Sequence, residues 1–424
     1  MKKRLIYLLL IVLAGSAVYA QDSLNVYLQT AAKNNPTVMQ RYNEYLAALE
    51  KLPQVGSLPD PQLEAGFFLS PMEIISGRQV ADIKLMQMFP WFGVLKNAKD
   101  EMNLMAKAKF EVFRDAQLQM FYEVQKAWFE LYRISKEKEL TAENMDLLST
   151  IEKLTLTKFE AGNTTVNMGS MKNSNGSLSD VYLIKIEKAN LENSLKTLDD
   201  EKEVAVARFN SLLNRPLQTS VSLPDTLLDT PLDLNYLSVN DSLFSNNPML
   251  DMITYEQQSL SARERKQKQQ GLPMVGIGLS YSVIEPSSMS TSSMNGQDMI
   301  MPMVSISLPL YRKKYNAMQR ETKLLREASS NNYTAAVNEL QTRYLEALQQ
   351  YYDAQRRIKL YANQSQMEEK SLKIYLQSFA SGTKNLTDIL AIQRRLLDYE
   401  QKQVNAVVDF NKAKALVIRL AVYE

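Results

Sequence analysis

The feature that most constrains this chain is a series of short motifs that occurs twice in the same order. Asn34-Asn35-Pro36 recurs as Asn246-Asn247-Pro248, 212 residues later. The remaining pairs lie 219, 220 and 208 residues apart: Phe89-Pro90 with Leu308-Pro309, Phe159-x-x-Gly162 with Phe379-x-x-Gly382, and Leu178-x-Asp180-Val181 with Leu386-x-Asp388-Ile389. Such self-similarity indicates repeated structural units. We predict two repeats, 21–233 and 234–424, which are joined by a Pro-containing linker at 223–234 and together form one domain.

Each repeat predicts the same order of elements. Helical periodicity over 23–51 and 239–269 is followed by two short segments with β-like alternation. The predicted strands are 62–70, 79–89, 274–284 and 299–308, with loops at 71–77 and 286–298. We therefore expect one strand–loop–strand unit in each repeat.

A long helix follows each strand pair. Residues 94–160 and 316–379 contain no Pro and have apolar residues at three- and four-residue steps, so each helix would extend roughly 100 Å. Gly162 and Gly382 are expected to end these helices. A returning helix is predicted from Asp180 to 213 and from Asp388 to 420, with both acids as N-caps or first-turn residues.

Composition excludes many chemistries. The 424 residues include no Cys and no His, which excludes disulfides, Cys/His zinc sites, Ser–His–Asp triads and cysteine nucleophiles. Lys+Arg (49) nearly balance Asp+Glu (47), so a basic nucleic-acid-binding protein is disfavoured. Catalysis would need paired carboxylates or a Lys–Ser arrangement, and no such spacing occurs. We expect no enzyme activity, catalytic residue, cofactor or resident metal.

The first twenty residues have the pattern of a secretory signal peptide. Lys2, Lys3 and Arg4 precede an apolar run over 5–14, and Val18-Tyr19-Ala20 ends in small residues. The run is shorter than the roughly 20 residues that span a bilayer. We predict residues 1–20 to be removed on export.

The predicted strands have the length of tilted membrane strands. Four strands cannot close a barrel, and an open edge in lipid leaves backbone groups unpaired. The amphipathic helices also need neighbours alongside them. We therefore expect a mainly α protein with a small β part: long antiparallel helical hairpins form a periplasmic α-barrel, and four transmembrane strands per chain contribute to a 12-stranded β-barrel shared by a trimer.

These motifs resemble the TolC-like outer-membrane efflux proteins over 21–424. The resemblance rests on the doubled Asn-Pro helix, the strands that end in Phe-Pro or Leu-Pro, and the Phe-x-x-Gly…Leu-x-Asp tip. It implies a homotrimeric exit duct in the Gram-negative outer membrane, in contact with its lipid and without nucleic acid. Its partners would be a periplasmic adaptor (membrane-fusion) protein and an inner-membrane pump. Leu58-Pro59-Asp60-Pro61 and the segment 87–93 are more similar to the CusC/CzcC-like heavy-metal branch.

The resemblance also implies a gate at the periplasmic helix tips. Asp388 and Asp180 match the tip aspartates, and Lys384 matches the basic partner of Asp180. The second acid of the family's ring is Ala391 here, and Phe379 replaces a tip tyrosine. Gly162 and Gly382 complete the predicted tip. Helix capping alone would also explain both aspartates, and Lys384 could equally be a solvated loop lysine.

Two further groups have open interpretations. Trp91 and Phe92 fit a membrane-interface aromatic belt or a hydrophobic plug between strand and helix. Five of the 21 methionines lie within residues 289–303 of the second hairpin: Met289, Met294, Met299, Met301 and Met303. Thioethers are ligands for soft metals, but flexible lipid- or core-facing packing is the favoured explanation for these methionines. Type I protein secretion and a non-membrane periplasmic helical adaptor remain alternative functions.

Overall fold

The computed structural model describes residues 19–164, 178–233, 236, 244–381 and 383–422. The first half contains α1 (Tyr19–Asn34), α2 (Pro36–Leu49), α3 (Lys51–Gly56), β1 (Gln62–Ile74), β2 (Gly77–Phe89), α4 (Val94–Thr164) and α5 (Leu178–Leu212). The second contains α6 (Pro248–Gln270), β3 (Met274–Glu285), β4 (Met299–Ser307), α7 (Arg312–Ala380) and α8 (Leu386–Ala421). The prediction of a mainly α protein with a small β part is confirmed. Most of the predicted signal peptide lies outside the described residues.

The region predicted as one helix over 23–51 is three helices, so that prediction was wrong. Pro36 lacks a backbone N–H and occupies the first position of α2, where none is needed. The Asn35 side-chain oxygen accepts hydrogen bonds from the backbone N–H groups of Thr37 (3.0 Å) and Val38 (3.2 Å). Asn35 is therefore the N-cap of α2.

The asparagines of the duplicated Asn-Pro motif make matching contacts. The Asn35 Nδ2 group donates to the carbonyl of Leu212, at the end of α5, over 2.8 Å. The Asn247 Nδ2 group donates to the carbonyl of Leu420, near the end of α8, over 3.1 Å. In each half of the chain, the asparagine therefore ties the start of the Asn-Pro helix to the end of the returning helix.

The strands form one antiparallel sheet in the order β1-β2-β3-β4. The bounds of β2, β3 and β4 agree with the prediction to within two residues. Strand β1 continues to Ile74, four residues beyond the predicted end, and its pairing is irregular between Phe67 and Met72. Pro71 lies in this irregular stretch, where the missing N–H breaks no regular ladder. The prediction of a loop from Pro71 was therefore wrong.

The two long helices contain 71 residues (α4) and 69 residues (α7). Their bounds and those of the returning helices α5 and α8 agree with the prediction to within four residues. Gly162 does not end α4 as expected, because the helix continues to Thr164. Gly382, the matching residue of the second repeat, lies outside the described residues.

The chain divides into two compact units, each with segments of both predicted repeats. One unit comprises Met1–Met39, Asp115–Asn247 and Glu339–Glu424, and the other Gln40–Arg114 and Pro248–Asn338. The first contains α5 and α8 with the later parts of α4 and α7. The second contains the sheet and α6 with the earlier parts of those two helices. Across the described ranges, no helix has an apolar stretch that could cross a membrane.

Candidate functional site: the helix tips and the sheet

Four helices pack around one apolar cluster at the ends of the helical hairpins. Residues at helical spacing on α4, α5, α7 and α8 bury one face of each helix against the others. We call this group the tip cluster; its members are Leu148, Ile151, Ile184, Leu191, Leu372, Phe379, Leu386, Ile389, Leu390, Ile392 and Leu396. The cluster therefore fixes the positions of the predicted gate residues, which lie in the same segments.

Phe379 is a buried member of the tip cluster. It is 2% exposed, and the Lys158 ammonium of α4 lies 3.8 Å from the centre of its ring. This ammonium is buried and has no hydrogen-bond partner among the described residues. Burial lowers the pKa of Lys158, because desolvation disfavours its charged form. A cation–π contact between α4 and α7 thus stands where the family resemblance implied a tyrosine hydroxyl.

Asp180 and Asp388 lie in the first turns of α5 and α8. Asp180 is partly buried and Asp388 is exposed. A carboxylate in the first turn is stabilised by the partial positive charge of the helix N-terminus. Asn385, not Asp388, occupies the N-cap position of α8. The positions of both aspartates therefore fit the first-turn reading of the sequence.

Lys384 lies just before α8, and its side chain is exposed. Its ammonium lies 4.9 Å from the centre of the Tyr375 ring on α7. Within the described ranges, Lys384 makes a cation–π contact with this ring. No ion pair joins Lys384 to Asp180 there. The single chain therefore does not bring these two predicted gate residues together.

Polar contacts beside the tip cluster join distant residues that no motif in the sequence indicated. Arg394 of α8 binds the carboxylate of Glu187 of α5 through Nε (2.9 Å) and a terminal nitrogen (2.5 Å). The Glu187 side chain is only 9% exposed. Nearby, the Gln393 amide donates to Asn144 Oδ1 over 2.8 Å. These contacts join residues more than 200 positions apart, so no local spacing in the sequence could have indicated them.

The sheet has two chemically different faces. Neighbouring residues in an antiparallel register share a face, and every second residue along each strand therefore belongs to the same face. One face is apolar and exposed: Leu63 is 69%, Ile277 58% and Val304 74% accessible to solvent. The other face contains small and polar residues, among them Asp82, Ser280 and Ser282, with Ser280 Oγ donating to the Asp82 carboxylate over 2.7 Å.

Trp91 and Phe92 follow the end of β2 and precede α4. Their rings form an edge-on pair with centres 6.2 Å apart. Trp91 is 38% and Phe92 88% exposed, so the single chain does not bury Phe92 as a plug between strand and helix. Exposed aromatic residues beside an apolar sheet face are typical of a membrane interface.

Metal-binding carboxylates are not gathered at either site. Across the part of the chain that the structure describes, no group of three or more His, Cys, Asp or Glu residues could hold a metal ion. The sites are thus defined by apolar packing, ion pairs and the two faces of the sheet.

Comparison with known proteins agrees with this architecture. Residues 239–419 match the family described as outer membrane efflux protein, whereas no curated protein matches the chain significantly. Among solved structures, the outer-membrane channel OprN is 17% identical with a TM-score of 0.77 and covers 94% of this chain and 90% of its own. VceC from Vibrio cholerae is 14% identical with a TM-score of 0.75 and covers 94% and 96%.

CusC is 13% identical with a TM-score of 0.69 and covers 94% of this chain and 92% of its own. At these identities, the similarity shows a shared fold and does not distinguish a metal-efflux branch. Residues 239–419 thus match the outer membrane efflux protein family, and the predicted resemblance to TolC-like channels is confirmed.

Proposed function

We propose that three copies of this chain form the exit duct of a tripartite efflux system in the outer membrane. The observation that carries this proposal is the two-faced sheet with β1 and β4 at its edges. One face is apolar and exposed along several strands, as lipid contact requires. The opposite face contains charged, hydroxyl-bearing and small residues together with methionines, and its polar groups are expected for a surface that lines an aqueous lumen.

Closure of the sheet gives a physical reason for assembly of several chains. Within the described residues, the backbone groups on the outer sides of β1 and β4 have no strand beside them. In hydrocarbon, each unsatisfied group costs several kcal/mol. If β4 of one chain pairs with β1 of the next, three chains give the predicted twelve strands and no edge remains.

The remaining parts of the proposed export system follow from the family resemblance. Residues 1–20 would direct export, and each chain would contribute two repeats, 21–233 and 234–424. The matching contacts of Asn35 and Asn247 support this duplication. A periplasmic adaptor would connect the duct to an inner-membrane pump, and the pump would supply the energy. The chain itself conducts solutes passively and catalyses no reaction.

We assign the gate to the helix tips. Three copies of Asp388 would place carboxylates around one opening and attract cations. Asp180 and Lys384 would act between tips of neighbouring chains, since among the described residues of its own chain Lys384 lies against the Tyr375 ring and forms no ion pair with Asp180. Phe379, Gly162 and Gly382 belong to the same tips. The gate would then be held closed at rest by contacts between the helix tips, and substitution of Asp180 or Lys384 would remove these contacts.

The assembly is tested with the full chain expressed with its N-terminal segment and extracted from membranes. The proposal predicts trimers that need detergent to remain in solution, and stepwise single-channel currents in planar bilayers. A stable monomer that is soluble without detergent would refute the duct and would favour a periplasmic helical protein instead.

The gate is tested by single-channel conductance of Asp180→Ala and Lys384→Ala. Both changes are expected to raise the conductance, because each removes a charge that holds the tips together. Lys373→Ala is the matched control, since Lys373 is exposed and pairs with Glu369 on its own helix. Conductance that stays at the parent value in both tip variants would remove the gate assignment and leave the duct in place.

A further inference from the structure

Six methionines lie on the polar face of the sheet, not on its apolar face. In the register of β2, β3 and β4, Gly278 lies between Met86 and Met303, and Ser280 between Lys84 and Met301. Directly opposite residues share a face. We call this surface the methionine face; its members are Met86, Met88, Met274, Met299, Met301 and Met303.

Two glycines on β3 make room for the thioethers. A Cβ atom on Gly276 would lie 2.5 Å from the Met88 sulfur and 3.2 Å from the Met86 sulfur. A Cβ atom on Gly278 would lie 3.0 Å from the Met86 sulfur. The two sulfurs therefore converge over the bare backbone of Gly276. The Gly-x-Gly spacing in β3 is explained by this close approach.

Ordinary packing does not account for this arrangement. Met299 is 47% and Met301 55% exposed, so neither fills a core. Lipid contact would place methionines on the apolar face, where β4 instead has Ile300, Val304 and Ile306. Methionine is therefore abundant on the polar face of the sheet, where its apolar side chain gains the least free energy from burial.

We propose that the methionine face binds soft monovalent cations, Cu(I) and Ag(I), as they pass through the duct. Met86 and Met88 supply two thioether sulfurs over Gly276, and Met303, across Gly278, supplies a third. Thioethers are soft ligands that select Cu(I) and carry no charge or proton. The chain has no Cys or His to compete for such ions.

The Asp82 carboxylate on this face does not select the ion. The Asp82 carboxylate accepts hydrogen bonds from Ser280 (2.7 Å) and Ser282 (3.1 Å) and pairs with Lys84 over 3.0 Å. Its negative charge is thus already compensated. Neutral sulfur ligands then hold a soft cation without the charge attraction that would trap it. The location of these ions in a lumen rests on the proposed function, whereas binding itself does not.

Binding is tested by calorimetric titration of the detergent-solubilised trimer with silver nitrate in chloride-free buffer. Met86→Leu/Met88→Leu conserves side-chain volume and is expected to weaken Ag(I) binding at least tenfold. Met303→Leu should weaken it less. Met39→Leu/Met367→Leu is the control, because both methionines are exposed on helices outside the sheet, and it should bind as the parent does.

Zn(II), which prefers nitrogen, oxygen and thiolate ligands, should not compete with Ag(I) at equal concentration. Equal Ag(I) affinity in the parent and in Met86→Leu/Met88→Leu would overturn the proposal, as would effective competition by Zn(II). Conductance in potassium nitrate separates this site from the duct. Normal conductance without Ag(I) binding would refute the metal site and leave the proposed duct in place. Ag(I) binding that depends on Met86, without any channel conductance, would refute the duct and leave the metal site in place.

Discussion

Asn35 is expected to hold two helices at once, and these two roles can be separated by substitution. Its side-chain oxygen caps α2 through the amides of Thr37 and Val38. Its side-chain NH₂ group satisfies the Leu212 carbonyl at the end of α5. Since Asn35 is 7% exposed, water cannot easily replace either contact. Asn35→Ala should therefore release both helix ends.

The expected loss follows from the two contacts. Removing an N-cap costs about 1 kcal/mol, and leaving a buried carbonyl without its donor costs about 1–2 kcal/mol. Asn35→Ala should thus lower the free energy of local opening by about 1 kcal/mol at the start of α2 and by about 1–2 kcal/mol at the end of α5, which corresponds to roughly 5-fold and 5- to 30-fold faster amide exchange. Hydrogen exchange of the detergent-solubilised trimer, followed by mass spectrometry, measures these changes in peptides that contain Thr37 and Val38 and in peptides at the end of α5.

Asn35→Asp separates the two roles. Its carboxylate still accepts from the amides of α2 and is favoured by the helix N-terminus, but it cannot donate to Leu212. Exchange at Thr37 and Val38 should stay near the parent rate, whereas the end of α5 should exchange faster. Asn193→Ala, at an exposed position within α5, is the control. Identical exchange in Asn35→Ala and Asn35→Asp would refute the division of roles.

Two shorter predictions concern the sheet boundary and the tip cluster. In the Trp128→Phe variant, Trp91 is the only tryptophan, and brominated lipid should quench its fluorescence strongly. In the Trp91→Phe variant, the remaining Trp128 is buried, 3% exposed, and its fluorescence should be quenched little. Equal quenching of both tryptophans would contradict a membrane-interface position for Trp91. Arg394→Ala leaves the Glu187 carboxylate buried and unpaired, so we expect a loss of about 1–3 kcal/mol, measured as a lower urea midpoint. Glu187→Gln/Arg394→Ala should recover part of this loss, and no recovery would argue against a charge effect.

Local patterns in the sequence predicted most of the fold because they act over a few residues. The alternation of Val275, Ile277 and Leu279 with small residues gave the bounds of β3 to within one residue. The break at Pro36 was missed although its signal was present. The hydrophobic periodicity continues across the Asn-Pro motif and hid an N-cap followed by a proline at the first helical position.

Contacts between distant elements could not be predicted in the same way. Helical periodicity shows which face of α4 is apolar, but not that Lys158 meets Phe379 of α7. Likewise, the alternation in β2 and β4 places Met86 and Met303 on a face of each strand. Only the register through Gly278 shows that the two residues share one surface. Shifting one strand by a single residue would separate them.

Lys158 makes the tip cluster sensitive to alkaline pH. Burial lowers the pKa of Lys158 in the folded chain, whereas an unfolded lysine has a pKa of about 10.4. The charged form is thus disfavoured by folding, and the resulting destabilisation is fully present below the folded pKa. It disappears as the pH rises through the folded pKa towards the unfolded value. The tip cluster should therefore gain stability on going from pH 7 to pH 10.

Lys158→Met tests this reasoning, because methionine keeps much of the side-chain length and removes the charge. The variant loses a cation–π contact worth about 0.5–2 kcal/mol, and it also loses the desolvation cost that lowers the pKa of Lys158. Exchange of the peptides around Ile151 and Phe379 is measured at pH 7 and at pH 10, after correction for intrinsic rates. The pH-dependent gain should be absent from Lys158→Met and present in Lys153→Met, since Lys153 is exposed on the same helix. A gain of equal size in all three chains would show that Lys158 is not the titrating group.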